Sequence, residues 1–176
     1  HASYRRQRQM CIRDRIICEP LAKLGAKVTG IDFAPNNISA AKIHSKKNKL
    51  KINYIHKDVE KSKLDGKFDL ILMFEVLEHL DDWKKTIKKI KKNLNKNGII
   101  IISTINRNSL SKLFAISIAE NILKWIPKGT HDYNKLIKPE ELKKTLTKEN
   151  LHFKNIKGLV FDPLSRDCLL YTSDAA

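Results

Sequence analysis

Nowhere in the 176 residues does a glycine-rich loop of the G-x-G-x-G type occur, and the six glycines stand apart from one another. A backbone cradle that lets main chain approach a nucleotide-like ligand closely is therefore missing from the chain as written. Cysteine is scarce as well. Cys11, Cys18 and Cys168 show no C-x-x-C spacing and leave one unpaired, which argues against a zinc site and a disulfide framework and makes a reducing compartment the default. No apolar run reaches about 18 residues, and the start lacks the apolar core of a signal peptide, so neither a membrane span nor export is expected. Acidic residues are few: 19 stand against 35 Lys and Arg, for a formal charge of +16. That balance suits nucleic acid or an anionic membrane surface. The lysines are scattered, however, and no basic run is interleaved with exposed aromatics, so nucleic acid is not expected as a partner. The length fits one globular domain with a single core.

Arginine is unevenly spread. Five of the seven (Arg5, Arg6, Arg8, Arg13, Arg15) fall in the first fifteen residues, and the rest of the chain uses lysine almost exclusively. The shift marks residues 1–15 as an arm foreign to the domain, and residues 167–176 read as a matching tail. Both are set outside the fold, which leaves 16–166 as the domain.

The chain is organised around Phe68-Asp-Leu-Ile-Leu-Met-Phe-Glu-Val-Leu-Glu-His79. An apolar run from Phe68 to Phe74 without alternation fits a strand covered on both faces, as in parallel α/β sheets. Ligands in such sheets sit beyond the carboxyl ends of the strands, where Glu75, Glu78 and His79 follow. A helix starting at Glu75 places all three on one face through i, i+3, i+4 spacing; the plainer alternative is two solvated glutamates and a helix-entry histidine.

The flanking pattern is regular. Glu19 to Leu24 ends a helix at Gly25, and Ala26 to Ile31 is a strand ending at Asp32. An acid at that tip either accepts ribose hydroxyls or caps the next helix. Pro35 to Lys47 reads as a helix with Ile38, Ala41 and Ile43 inward, and Leu50 to Ile55 as a strand followed by Asp58. Asp81 to Leu94 is an amphipathic helix stopped by Asn97-Gly98, and Ile99 to Thr104 the next strand. Ser109 to Ile126 is apolar at eleven of eighteen positions yet carries Lys112, Glu120 and Lys124, so it is either a lid over the site or a helix lying on a membrane surface. Pro139 to Leu146 is a helix opened by proline, and His152 to Phe161 a last strand region. Alternating strands and helices predict an α/β sandwich around a mainly parallel sheet.

Five blocks in order carry a resemblance: Glu19-Pro-Leu-Ala-Lys-Leu-Gly-Ala-Lys-Val-Thr-Gly-Ile-Asp32, Glu75-Val-Leu-Glu-His79, Ile102-Ser-Thr-Ile-Asn-Arg107, Pro127-Lys-Gly-Thr-His-Asp132 and Lys138-Pro-Glu-Glu-Leu142. From Ile16 to about Arg166 the chain resembles the S-adenosylmethionine-dependent O-methyltransferases of ubiquinone biosynthesis. The resemblance implies a Rossmann-like methyltransferase fold and O-methylation of phenolic hydroxyls on polyprenylated ubiquinone precursors. It implies Asp32 for the cofactor ribose, Phe74 beside the cofactor and Asp58 facing its adenine. It further implies Glu75, Glu78 and His79 as ligands of a divalent cation, taken to be magnesium, with His79 as an alternative general base. The implied partners are a polyprenylated phenol or quinol, an anionic membrane surface and a ubiquinone-biosynthesis complex. The implied location is cytoplasmic, peripheral to the inner membrane.

Family members carry a first strand and the glycine-rich loop just before the position of Ile16, and this chain does not. The expectation is thus a sheet lacking that strand, with open edges at Ala26 to Ile31 and Phe68 to Phe74, Met10 to Cys18 as the one candidate substitute, and little cofactor binding or turnover by the chain itself. Rival readings are a nucleic-acid or protein methyltransferase using the basic surface, and a non-catalytic lipid-binding module centred on Ser109 to Ile126.

Overall fold

The computed structural model of the chain describes residues 2–6, 12–108, 132–162 and 167–172, with side chains over 17–108 and 132–158. The predicted segments Ser109 to Ile126 and Pro127 to His131 lie outside these residues. Five parallel strands form one sheet in the order β3-β2-β1-β4-β5, comprising β1 (Ala2–Arg6), β2 (Val28–Asp32), β3 (Ile52–His56), β4 (Phe68–Phe74) and β5 (Leu94–Ser103). The connections are α1 (Ile12–Lys23), α2 (Pro35–Lys47) and α3 (Trp83–Lys91), and α4 (Pro139–Lys148) follows the sheet.

The strand expected to be missing is present in place, built from residues assigned to the foreign arm. Ala2 to Arg6 pairs with Val28 to Asp32 on one side, and Ala2 to Arg5 with Leu70 to Met73 on the other. The physical reason is main-chain satisfaction: two apolar strands with facing open edges need N–H and C=O partners whatever side chains the inserted strand carries. The candidate substitute Met10 to Cys18 is not a strand, since Ile12 onward is helix. The tail, too, enters the structure. β7 (Asp167–Thr172) pairs antiparallel with β6 (Lys157–Asp162) in a separate two-stranded sheet.

Strand alternation divides the core into two layers. Ile31, Ile71 and Met73 face one side, where Ile87 and Ile90 of α3 pack and Leu142 and Leu146 of α4 cover them. Val28, Tyr54 and Leu72 face the other, against Cys18 of α1 and Ile38 and Ala41 of α2. Ile71 and Met73 are fully buried, each contributing about 1.5–3 kcal/mol relative to exposure. Ile43, expected inward, is 72% exposed, because five residues beyond Ile38 lie on the opposite side of an α-helix.

Two glycines punctuate the chain differently. Gly25 takes φ +87 just beyond α1 and donates its N–H to the Ala22 carbonyl at 3.0 Å, the expected helix stop. Gly98, expected to end a helix, instead lies inside β5, which begins at Leu94. A Cβ there would sit 2.7 Å from the Leu94 side chain and 3.0 Å from the Phe68 carbonyl. The strand is irregular at this point, its register against β4 shifting between Phe68 and Leu70.

Candidate active site

Strand order reverses between β1 and β4, so the crevice beyond the carboxyl ends of these strands is where such a sheet binds ligands. The tips place Asp32, Phe74 and Ser103 on one edge, with Asp32 opposite Arg6 and Phe74 opposite Ser103 in the pairing. Asp58 follows the tip of β3, and Glu75, Glu78 and His79 follow that of β4.

Asp32 is 3% exposed. Its Oδ1 accepts the Ala34 N–H at 2.7 Å and its Oδ2 the Asn37 side-chain amide at 3.1 Å, so it organises the entry to α2 where Ala34 offers no capping side chain. Both readings of an acid at this tip are compatible, because each carboxylate oxygen keeps a second lone pair for a ribose hydroxyl. Asp58 turns toward its own loop, with Oδ1 accepting the Glu60 N–H at 2.8 Å. Phe74 is half-buried at the end of β4.

The helix predicted from Glu75 does not form. Glu75 has φ +50, a left-handed conformation costly for a side-chain-bearing residue, and only a short 3₁₀ turn, Leu77–His79, follows. The turn nevertheless brings Glu75 and Glu78 together at the tip of β5. Ser103 Oγ donates to Glu75 Oε1 at 2.8 Å, and Thr104 Oγ1 donates to Glu78 Oε2 at 3.1 Å. Glu78 is buried, and its Oε1 has no donor aimed at it among the described residues. Burial, and next the Glu75 charge, push the Glu78 carboxyl up to about 8, so near neutral pH it keeps a proton. Spacing could not reveal Ser103 and Thr104: they lie 28 and 26 residues beyond their partners. Their one signal was position, a pair of hydroxyls ending an apolar strand beside a strand that ends in acids.

His79 is half-buried on the same turn. Among the described residues, no three His, Cys, Asp or Glu side chains converge as a metal-binding group, so the predicted shell of Glu75, Glu78 and His79 is not assembled. The 3₁₀ turn is the cause, since it replaces the helix whose single face was to gather all three. The observed arrangement is a carboxyl pair steadied by hydroxyls, and it does not fit magnesium held by those three groups. S-adenosylmethionine fits at its ribose end, through Asp32; the described residues offer no glycine cradle for its other end.

Beside this edge, Trp83, Arg107, Lys135 and Glu141 line a recess of about 190 Å³. Arg107 ion-pairs with Glu141, and Lys135 lies 3.7 Å from Asp81. Asn106 and Ile137 form a bridge nearby, joining the exit of β5 to the approach to α4.

A parallel sheet with helices on both faces, an acid at the β2 tip and a carboxyl-bearing turn after β4 define the Rossmann-like class of nucleoside-cofactor enzymes. The profile of the methyltransferase domain family matches residues 11–155, and the chain belongs to that family. It is 48% identical over 149 residues to the ubiquinone biosynthesis O-methyltransferase of Pelagibacter ubique, covering 85% of this chain and 62% of that protein. It is 44% identical over 147 residues to the protein of the same name from Rickettsia typhi, covering 84% and 60% respectively. The chain thus spans about three fifths of the length of these curated relatives. Among solved structures, the plantazolicin methyltransferase BpumL in complex with a pentazolic desmethylPZN analog and SAH superposes with a TM-score of 0.65 at 19% identity, covering 90% of this chain and 60% of that one. An S-adenosylmethionine-dependent methyltransferase from Clostridium acetobutylicum gives 0.54 at 20% identity, covering 64% and 46%. Both share the fold.

Proposed function

We propose that these residues form the core of an enzyme that methylates phenolic oxygens on polyprenylated ubiquinone precursors, using S-adenosylmethionine. The observation that carries this reading is the Glu75–Glu78 carboxyl pair at the tip of β4, on the same sheet edge as Asp32, in a chain similar to proteins named for that pathway.

Bound S-adenosylmethionine supplies a methyl carbon made electrophilic by its positively charged sulfur. Asp32 would hold its ribose and Phe74 would flank it. A free phenol titrates near 10, so its proton must leave as the oxygen attacks; His79 takes it as general base. Aligning oxygen, carbon and sulfur supplies roughly 7–11 kcal/mol of the barrier. A polyprenyl tail partitions into lipid, which favours work at a membrane surface; the cytoplasmic side is part of the proposal. The lysines exposed on α3, Lys84, Lys85 and Lys88, favour an anionic surface by about 1 kcal/mol each.

The test is methyl transfer by the intact enzyme to which these residues belong. Methyl-labelled S-adenosylmethionine is offered together with a prenylated catechol, bulk tRNA and a lysine-rich protein. The reading requires label in a methoxy group on the catechol. Label in RNA or protein, with the catechol untouched, contradicts it.

A further inference from the structure

Glu75 is bound to Ser103 through both main chain and side chain. Its N–H reaches the Ser103 carbonyl at 3.1 Å and Oγ at 3.3 Å, while that Oγ donates to the Glu75 carboxylate at 2.8 Å. These contacts hold a residue whose φ of +50 would otherwise be disfavoured. One residue on, Thr104 donates to the buried Glu78 carboxyl at 3.1 Å. Two successive hydroxyls, the last residue of β5 and the one after it, thus grip two carboxyl groups on the turn after β4, each hydroxyl taking one.

We propose that Ser103 and Thr104 are positioning residues, which fix the Glu75–Glu78 carboxyl pair in place at the tips of β4 and β5 and thereby set the rate of methyl transfer. The catalytic part of this inference rests on the function proposed above. The geometric part rests on the hydrogen bonds and backbone alone. Ser103 is the terminal residue of β5 and pairs with Phe74, so the sheet itself sets where its hydroxyl stands. Each carboxyl group keeps one oxygen outside these two bonds, and for Glu78 that oxygen, Oε1, is buried with no donor toward it among the described residues. Thr104 therefore holds one edge of the Glu78 carboxyl, which also hydrogen-bonds the Glu75 side chain, where two unheld oxygens would exchange by rotation. Burial raises the stakes, because a hydroxyl–carboxyl bond removed from water is not replaced when its donor is lost.

The experiment labels glutamate side chains with carbon-13 and reads the Glu75 and Glu78 carboxyl resonances in this chain at one fixed pH, comparing wild type with Ser103→Ala, Thr104→Val and Thr104→Ser. The expected result is that Thr104→Val moves the Glu78 resonance, Thr104→Ser restores it, and Ser103→Ala moves that of Glu75. In the intact enzyme, kcat should fall about 10-fold or more in Thr104→Val, with KM for S-adenosylmethionine unchanged and most of the rate regained in Thr104→Ser, as small misplacements at a reacting centre do. If Ser103→Ala fails to fold, the Thr104 pair decides alone. Unmoved resonances in folded variants overturn the proposal, and so does an unchanged kcat. A wild-type enzyme that methylates no catechol strikes instead at the proposed reaction, and the resonances still decide whether these hydroxyls orient the pair.

Discussion

Glu78 stands beside Glu75, and burial, with the Glu75 charge second, pushes its carboxyl up to about 8 against an ordinary value of 4.5. The folded state therefore keeps a proton that the unfolded chain releases from about pH 4.5 upward. Stability should fall as pH rises between these two values; the cost is absent below the lower and complete above the upper. At about 1.4 kcal/mol per unit, the effect amounts to a few kcal/mol at most. Urea midpoints at pH 5 and pH 8 should differ in that direction, and Glu78→Gln should remove much of the difference. A midpoint equally pH-dependent in the Gln variant would assign the effect to other groups.

Asn93 is buried at the end of α3 and donates both side-chain amide hydrogens outward, to the Leu64 carbonyl at 2.8 Å and the Gly66 carbonyl at 2.8 Å. It ties the loop before β4 to the helix after it. Asn93→Leu leaves two carbonyls short of donors and should cost about 2–3 kcal/mol. Chemical denaturation measures it; a loss below about 0.5 kcal/mol would show that water replaces the amide.

Arg107 and Glu141 join the exit of β5 to α4. Both side chains are partly exposed, at 25% and 40%, so the coupling should be only about 1 kcal/mol after solvent screening. A double-mutant cycle with Arg107→Ala and Glu141→Ala reads the coupling directly, and high salt should reduce it. Zero coupling would leave the Asn106–Ile137 bridge as the main tie there.

Asp32 organises the entry to α2 and, on the proposed function, would hold the cofactor ribose, two roles that substitution can separate. Asp32→Ala should cost about 1 kcal/mol of stability by removing the acceptor for Ala34. It should also weaken S-adenosylhomocysteine binding about 10-fold or more by removing a charged acceptor. Asp32→Asn should restore much of the stability and little of the binding. Calorimetry in the two variants gives both numbers, and an unchanged affinity in folded Asp32→Ala would confine Asp32 to the helix entry.

The elements readable from sequence are those whose signals are local. Phe68 to Phe74 is an unbroken apolar run, Pro35 and Pro139 open helices, and Gly25 closes one. Other features depend on partners distant in the chain. Nothing in Ala2-Ser-Tyr-Arg-Arg6 carries a strand pattern; its place follows from the facing edges of β2 and β4. Asn97-Gly98 has the composition of a turn, but it sits in the irregular stretch of β5 between Leu94 and Ile99, which pair with β4 on either side. At the site, Asp32 and the Glu75–Glu78 pair were legible as acids at strand tips. The left-handed backbone at Glu75 was not, because it is held by Ser103, which local spacing cannot place. For the same reason a three-residue metal face derived from helical spacing gave way to a hydroxyl-held pair.

The claim that the carboxyl ends of β2, β4 and β5 form the cofactor site is tested most directly by amide chemical-shift mapping of this chain during titration with S-adenosylhomocysteine. Because the described residues hold no glycine cradle, weak binding is predicted, but the amides that shift should cluster at Asp32 to Ala34, at Phe74 and Glu75, and at Ser103 and Thr104. Shifts confined to the lysine-bearing outer face of α3, or no shifts at millimolar ligand, would contradict the account.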